Sequence, residues 1–193
     1  MGEAKGKREA LRQLMLEKGA EWDFPPSEWE VALCAELEEL PVSIVPRAPE
    51  EQLVWTRMKA NECHTNAFWY VDNDPYKASR AITGWWVQGP CYVLHSVIEQ
   101  AGQLICITPS AFGEVEIPFI PDPKISWITE GQARHAMRSG QEIGPGIRKF
   151  PALTMAINAI ARERLLSGMN PFTAGDFSDE EMAELKRKHA PDS

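Results

Sequence analysis

A thiol at the start of a helix and an imidazole on a following strand are the two halves of a Cys–His nucleophile. This chain offers one of each. Cys63 lies in Asn61-Glu62-Cys63-His64-Thr65-Asn66-Ala67, and His95 in Tyr92-Val93-Leu94-His95-Ser96-Val97-Ile98. Asn61 is a residue type that caps helices, which predicts Cys63 at the second helical position. There the unpaired backbone N–H groups and the positive end of the helix dipole favour a thiolate. A thiolate is the form that attacks a carbonyl carbon. A nearby imidazole would lower the thiol pKa further and protonate a leaving amine. The same helix start offers N–H groups to an oxyanion, so one short segment would supply the nucleophile and part of the oxyanion hole.

Those two groups need a helix and a sheet to hold them. A helix is predicted from about Glu62 to Val71, stopped by Asn73-Asp74-Pro75. Three β-type runs follow: 81–87, 91–99 and 104–108. Gln88-Gly89-Pro90 and Gln100-Ala101-Gly102-Gln103 separate them, and such short links imply antiparallel hairpins. Segments 114–120 and 124–128 would add strands on either side of Pro121-Asp122-Pro123. Alternation puts His95 on one strand face with Val93 and Val97. If that Val face packs on the central helix, His95 points at the helix N-terminus; a slip of one residue would invert the arrangement.

Helices are expected to flank this centre. Residues 1–20 read as a charged helix or arm, and Ser27 with Glu30 as a capping box opening a second helix that Pro41 ends. Val42 to Val45 reads as a short strand, and Pro46-Arg47-Ala48-Pro49 as a loop. Past residue 128 the reading is helical. Thr129 and Gln132 suggest a capping box with a stop at Gly140, and His135 falls on that short helix. Pro151 suits a first helical position, and Ser178 with Glu181 caps a last polar helix. The expected order is an arm over 1–22, one α+β domain over 23–170, and a polar tail over 171–193.

The stretch from Asn61 to about Ser110, about a quarter of the chain, resembles bacterial papain-like cysteine hydrolases of the broader transglutaminase-like kind. The likeness rests on Cys63-His64-Thr65-Asn66-Ala67, Thr83-Gly84-Trp85-Trp86, His95-Ser96 and Gly102-Gln103-Leu104-Ile105-Cys106-Ile107-Thr108-Pro109, in that order. It implies a papain-like fold, with the central helix carrying Cys63 packed on an antiparallel sheet. It implies Cys63 as nucleophile, His95 as base and acid, and a third residue that orients the imidazole. Cys106 stands where the family pattern has Asp, and a thiol is a weak acceptor. Thr108, Asn66 and Asp122 are the other candidates for that role, with Asn61 or the helix N–H groups holding an oxyanion.

Two functions follow as expectations. One is hydrolysis of an amide, isopeptide or thioester bond in a peptide, protein or small acyl compound. The other is a degenerate binding module on the same fold, of bacterial or phage origin. A zinc-binding structural domain using Cys63, His64, His95 and Cys106 is a third idea, but these spacings match no common zinc motif, so no metal or cofactor is expected. His64, about 100° around the helix from Cys63, reads as a rim residue. Of Trp85 and Trp86, one indole is expected in the core and the other could face a cleft. The net charge of −8 argues against a nucleic-acid partner. Four widely spaced cysteines argue against a disulfide framework. No secretory leader, myristoylation pattern or membrane-length apolar run is read, so a cytoplasmic setting is expected.

Overall fold

The computed structural model describes residues 2–110, 113–131 and 133–190. The fold is α+β, with two compact units: Met1–Ala32 with Arg148–Ser193, and Leu33–Ile147.

In the unit Leu33–Ile147, the turns dictate the sheet. β2 (Ser79–Gln88) and β3 (Cys91–Gln100) pair antiparallel across a two-residue link, with Gln88 opposite Cys91. Gly89 there takes φ +52°, a value that glycine adopts at little cost. The next link, Ala101-Gly102, holds both residues at positive φ and joins β3 to β4 (Gln103–Ile105). β1 (Ser43–Pro46) pairs with β5 (Glu116–Pro121), and β5 pairs with β2. β9 (Gly146–Arg148) also pairs with β3. The sheet then closes on itself. Arg47 and Cys106 form a parallel bridge, with Cys106 N donating to Pro46 O at 2.9 Å and Ala48 N to Cys106 O at 2.8 Å. The result is a small barrel of strand order β1-β5-β2-β3-β4 with β4 returning to β1.

Closure gives the barrel a distinct inside and outside, and alternation assigns residues to each. The inside holds Val45, Val97, Cys106, Ile117 and Phe119, with Ile82, Trp86 and Leu104 against them. Gly84 faces this interior opposite His95. A Cβ there would stand 2.1 Å from the Ile120 carbonyl oxygen and 2.8 Å from the Phe119 ring, so only glycine fits. The outside carries Ile98 and Ile107, packed with Leu53 of α3 (Glu50–Trp55) and Ala67 of α4 (Cys63–Asn73). Helix α3, directly after the Pro-rich loop, is too short to announce itself by periodicity in the sequence.

Several expectations change here. The helix expected after Thr129 is a hairpin instead: β6 (Ile125–Glu130), β7 (Ala133–Arg138) and β8 (Gln141–Glu142) form a second antiparallel sheet. Gly131 turns it at φ +63°. Gln132, half of the supposed capping box, lies outside the described residues. Arg138 explains the hairpin's attachment. Its buried guanidinium reaches Asp122 at 2.7 Å and Glu36 at 2.8 Å, a pairing that strand alternation permits. His135 is therefore a strand residue, 2.7 Å from Glu142, which raises its pKa through that hydrogen bond.

The other unit is helical: α1 (Gly2–Glu21), the start of α2 (Glu28–Glu38), α5 (Pro151–Leu166) and α6 (Asp179–His189). Pro151 opens α5, and Ser178 with Glu181 forms the full capping box on α6. At α2 only half of the expected box forms. Glu30 N donates to Ser27 Oγ at 3.1 Å, but the Glu30 carboxylate turns to Arg148, accepting from Nε and Nη2 at 2.8 Å each. A buried guanidinium leaves Glu30 no freedom to reach its own helix start. Arg148 also donates to the carbonyls of Trp22 and Phe24 and stacks on the Phe24 ring at 3.7 Å.

Candidate functional site

α4 starts one residue later than the spacing predicts. Its N-cap is Glu62, without a side-chain cap bond, because Asn61 sits at φ +62° and is turned out of the capping position. Cys63 is thus the first helical residue. Backbone N–H groups of Ser96, His64 and Cys63 itself favour its thiolate, but burial outweighs them and, with Cys106 nearby, pushes the thiol up to about 11.

The faces of β3 decide the rest. α4 covers the outside of the barrel: Ala67 packs with Ile98 and Ile107, and His64 Nδ1 lies 2.8 Å from Ser96 Oγ. The face offered to α4 is therefore that of Ser96 and Ile98, not the Val face. His95 turns inward with Val97. Its ring makes T-shaped contacts with Trp86 at 5.4 Å and Phe119 at 6.3 Å. The register expectation is inverted for a physical reason. A helix packs closest over small residues, and Ser96 opposite Thr83 gives it room that an imidazole would fill.

Inside the barrel, His95 Nε2 lies 3.4 Å from Cys106 Sγ. The same sulfur accepts from Arg47 Nη1 at 3.3 Å. Arg47 Nη1 also donates to the Thr108 carbonyl, and Nε to the Glu114 carbonyl at 2.8 Å. The guanidinium stands 5.9 Å over the Trp86 ring. Burial, with help from His64 and Arg47, holds the His95 imidazole down to about 3. Burial also raises the Cys106 thiol, against the Thr108 N–H and Arg47, which lower it. Among the described residues, no hydrogen bond joins Cys63 to His95.

The other named residues have structural partners. Asn66 donates to the Lys59 carbonyl at 2.8 Å and to Thr108 Oγ1 at 3.2 Å, tying α4 to the segment after β4. Asp122 accepts from Trp85 Nε1 at 2.9 Å and from Arg138, away from His95. Trp85 is the core indole, wholly buried, and Trp86 fills the barrel beside His95. Among the described residues, no three of His, Cys, Asp and Glu converge as a metal site would need, so the zinc idea has no geometry behind it.

His64 is the residue that sequence reasoning undervalues. Its ring lies tilted against Trp127, centroids 4.8 Å apart, and lines a groove of about 520 Å³. Phe68, Trp69, Asp72, Trp127 and Arg134 also border that groove. The helical spacing of His64, Phe68 and Asp72 on α4 is a signal that they share a face. Trp127 and Arg134 come from the hairpin that reads as a helix in the sequence, so the groove's other wall is hidden there. Arg47 is hidden too, inside a segment that reads only as a loop.

No protein-family model, curated protein or solved structure matches this chain.

Proposed function

We propose that the unit Leu33–Ile147 is a ligand-binding module, and that Cys63 and His95 serve its packing rather than a reaction. One observation carries this reading: the His95 imidazole faces Cys106 Sγ, and Arg47 donates to that same sulfur. A cysteine hydrolase needs a group behind its imidazole that accepts a hydrogen bond and steadies positive charge. Here the acceptor is a weak one, already engaged, with a cation beyond it. Both arrangements oppose an imidazolium, and a neutral imidazole cannot hold a thiolate as an ion pair. The papain-like likeness of the motifs then reads as a relationship of scaffold, with the nucleophile silenced. The groove beside His64 is the surface on which a ligand would sit. All four cysteines are free thiols, which suits a reducing, cytoplasmic setting.

The test is a panel of electrophilic acyl probes against the native chain and Cys63→Ala. The binding-module reading expects labelling no greater in the native chain than in the variant. Rapid labelling confined to Cys63 and slowed by His95→Ala would restore the hydrolase and overturn the proposal.

A further inference from the structure

The groove has a polarity set from behind. Trp127 Nε1 can only donate, and it donates to Thr83 Oγ1 at 3.0 Å. Thr83 Oγ1 lies 3.0 Å from Ser96 Oγ, which lies 2.8 Å from His64 Nδ1. Two directions are open to the hydroxyl hydrogens. If His64 Nδ1 donated to Ser96, Ser96 would donate to Thr83, and the Thr83 hydrogen would have no acceptor among the described residues. If Thr83 donates to Ser96 and Ser96 to His64 Nδ1, every hydrogen has a place. The second arrangement makes Nδ1 the acceptor and puts the ring hydrogen on Nε2. Nε2 has no protein partner among the described residues, and it is not enclosed.

A second donor stands on the same groove. The Arg134 guanidinium lies over Phe68, 4.7 Å from its ring centre, and makes no ion pair among the described residues. Stacking restricts the orientation of its N–H fork. The groove therefore combines the His64 and Arg134 donors and the Thr65 hydroxyl with three aromatic side chains, Phe68, Trp69 and Trp127. Among the described residues the one carboxylate on the groove is Asp72, eight residues along α4 from His64, about 12 Å by helical rise. That distance leaves the His64 end open to an anion but disfavours a long polyanion. The volume suits one or two rings.

We propose that this groove binds a small aromatic monocarboxylate, its carboxylate taking the His64 Nε2–H and the Arg134 fork and its ring lying against Trp127. This rests on the binding-module reading and names its ligand class.

The experiment is a tryptophan-fluorescence titration of the full chain at pH 7 with benzoate, benzamide and acetate as probes. Benzoate is expected to saturate, and the two controls to bind at least tenfold more weakly. Arg134→Gln, at an exposed position, should weaken benzoate at least fivefold, as should His64→Ala. Trp127→Phe keeps a ring but removes the first donor of the relay, and should weaken it by less. Equal binding of benzamide would show a merely apolar surface and overturn the proposal. Equal binding of acetate would show adventitious anion binding, and no saturation would show no site; either also overturns it. Cys63→Ala should leave benzoate affinity unchanged. Failure of the titration beside inert acyl probes sinks this ligand class alone, whereas Cys63-dependent acyl labelling sinks the parent reading.

Discussion

Replacing His95 by glutamine should flatten the acid limb of the stability curve. In the unfolded chain the imidazole takes up a proton near 6.5, but in the folded barrel only near about 3. Between those values the unfolded state binds more protons, so stability falls as the pH falls. His95 therefore contributes stability that is fully present above 6.5 and lost progressively on acidification toward 3. The displacement, at about 1.4 kcal/mol per pH unit, amounts to about 5 kcal/mol across that window. His64, held down to about 4 by burial, adds a second slope of the same sign between 6.5 and 4. Carboxylates add their own slope below about pH 5, so the informative quantity is the difference between proteins. The glutamine of His95→Gln keeps a polar group beside Cys106 but cannot titrate. Urea unfolding at pH 7, 6 and 5, followed by circular dichroism, gives ΔG at each point. The native chain should lose about 1 kcal/mol more than His95→Gln between pH 6 and 5. Parallel curves would mean that His95 is solvated or already charged, and its burial inside the barrel would be refuted.

Other positions give independent checks. Arg148→Ala leaves the buried Glu30 carboxylate without its partner and should cost about 3–5 kcal/mol, read by chemical denaturation. Gly84→Ala drives a methyl group into the Ile120 carbonyl and the Phe119 ring, so the melting temperature should drop by an amount equivalent to about 1–3 kcal/mol or more. Ala101→Gly relieves a left-handed alanine at φ +51° in the β3–β4 turn and should stabilise the protein by about 1 kcal/mol, read by urea unfolding.

What the sequence disclosed was local. The β2–β3 hairpin was visible because Gly89-Pro90 punctuates two apolar runs, and α6 because Ser178 and Glu181 stand at capping distance. What it hid depends on contacts far along the chain. The Thr129 and Gln132 spacing with a stop at Gly140 reads as a helix over Ala133–Arg138, yet Arg138 is drawn inward by Asp122 and Glu36, and Gly131 supplies the turn that makes a hairpin. The side of β3 that meets α4 was undecidable by alternation, since His95, Ser96, Val97 and Ile98 are all buried. The small Ser96–Thr83 pair gives α4 its face, and closure through Arg47 and Cys106, which nothing in the Pro46–Pro49 segment announces, encloses the other. The same closure brought Arg47 to Cys106, so the resemblance placed Cys106 near His95 in the chain's order without revealing the cation behind it.

The state of the Cys63 thiol decides between a silent scaffold and a nucleophile. Its alkylation rate by iodoacetamide, followed by mass spectrometry across about pH 5 to 10, reports the thiolate fraction directly. A silent scaffold predicts a slow rate still rising at the alkaline end, in line with a thiol pushed up to about 11, and unchanged by His95→Ala. A plateau reached below neutral pH that disappears in His95→Ala would contradict it.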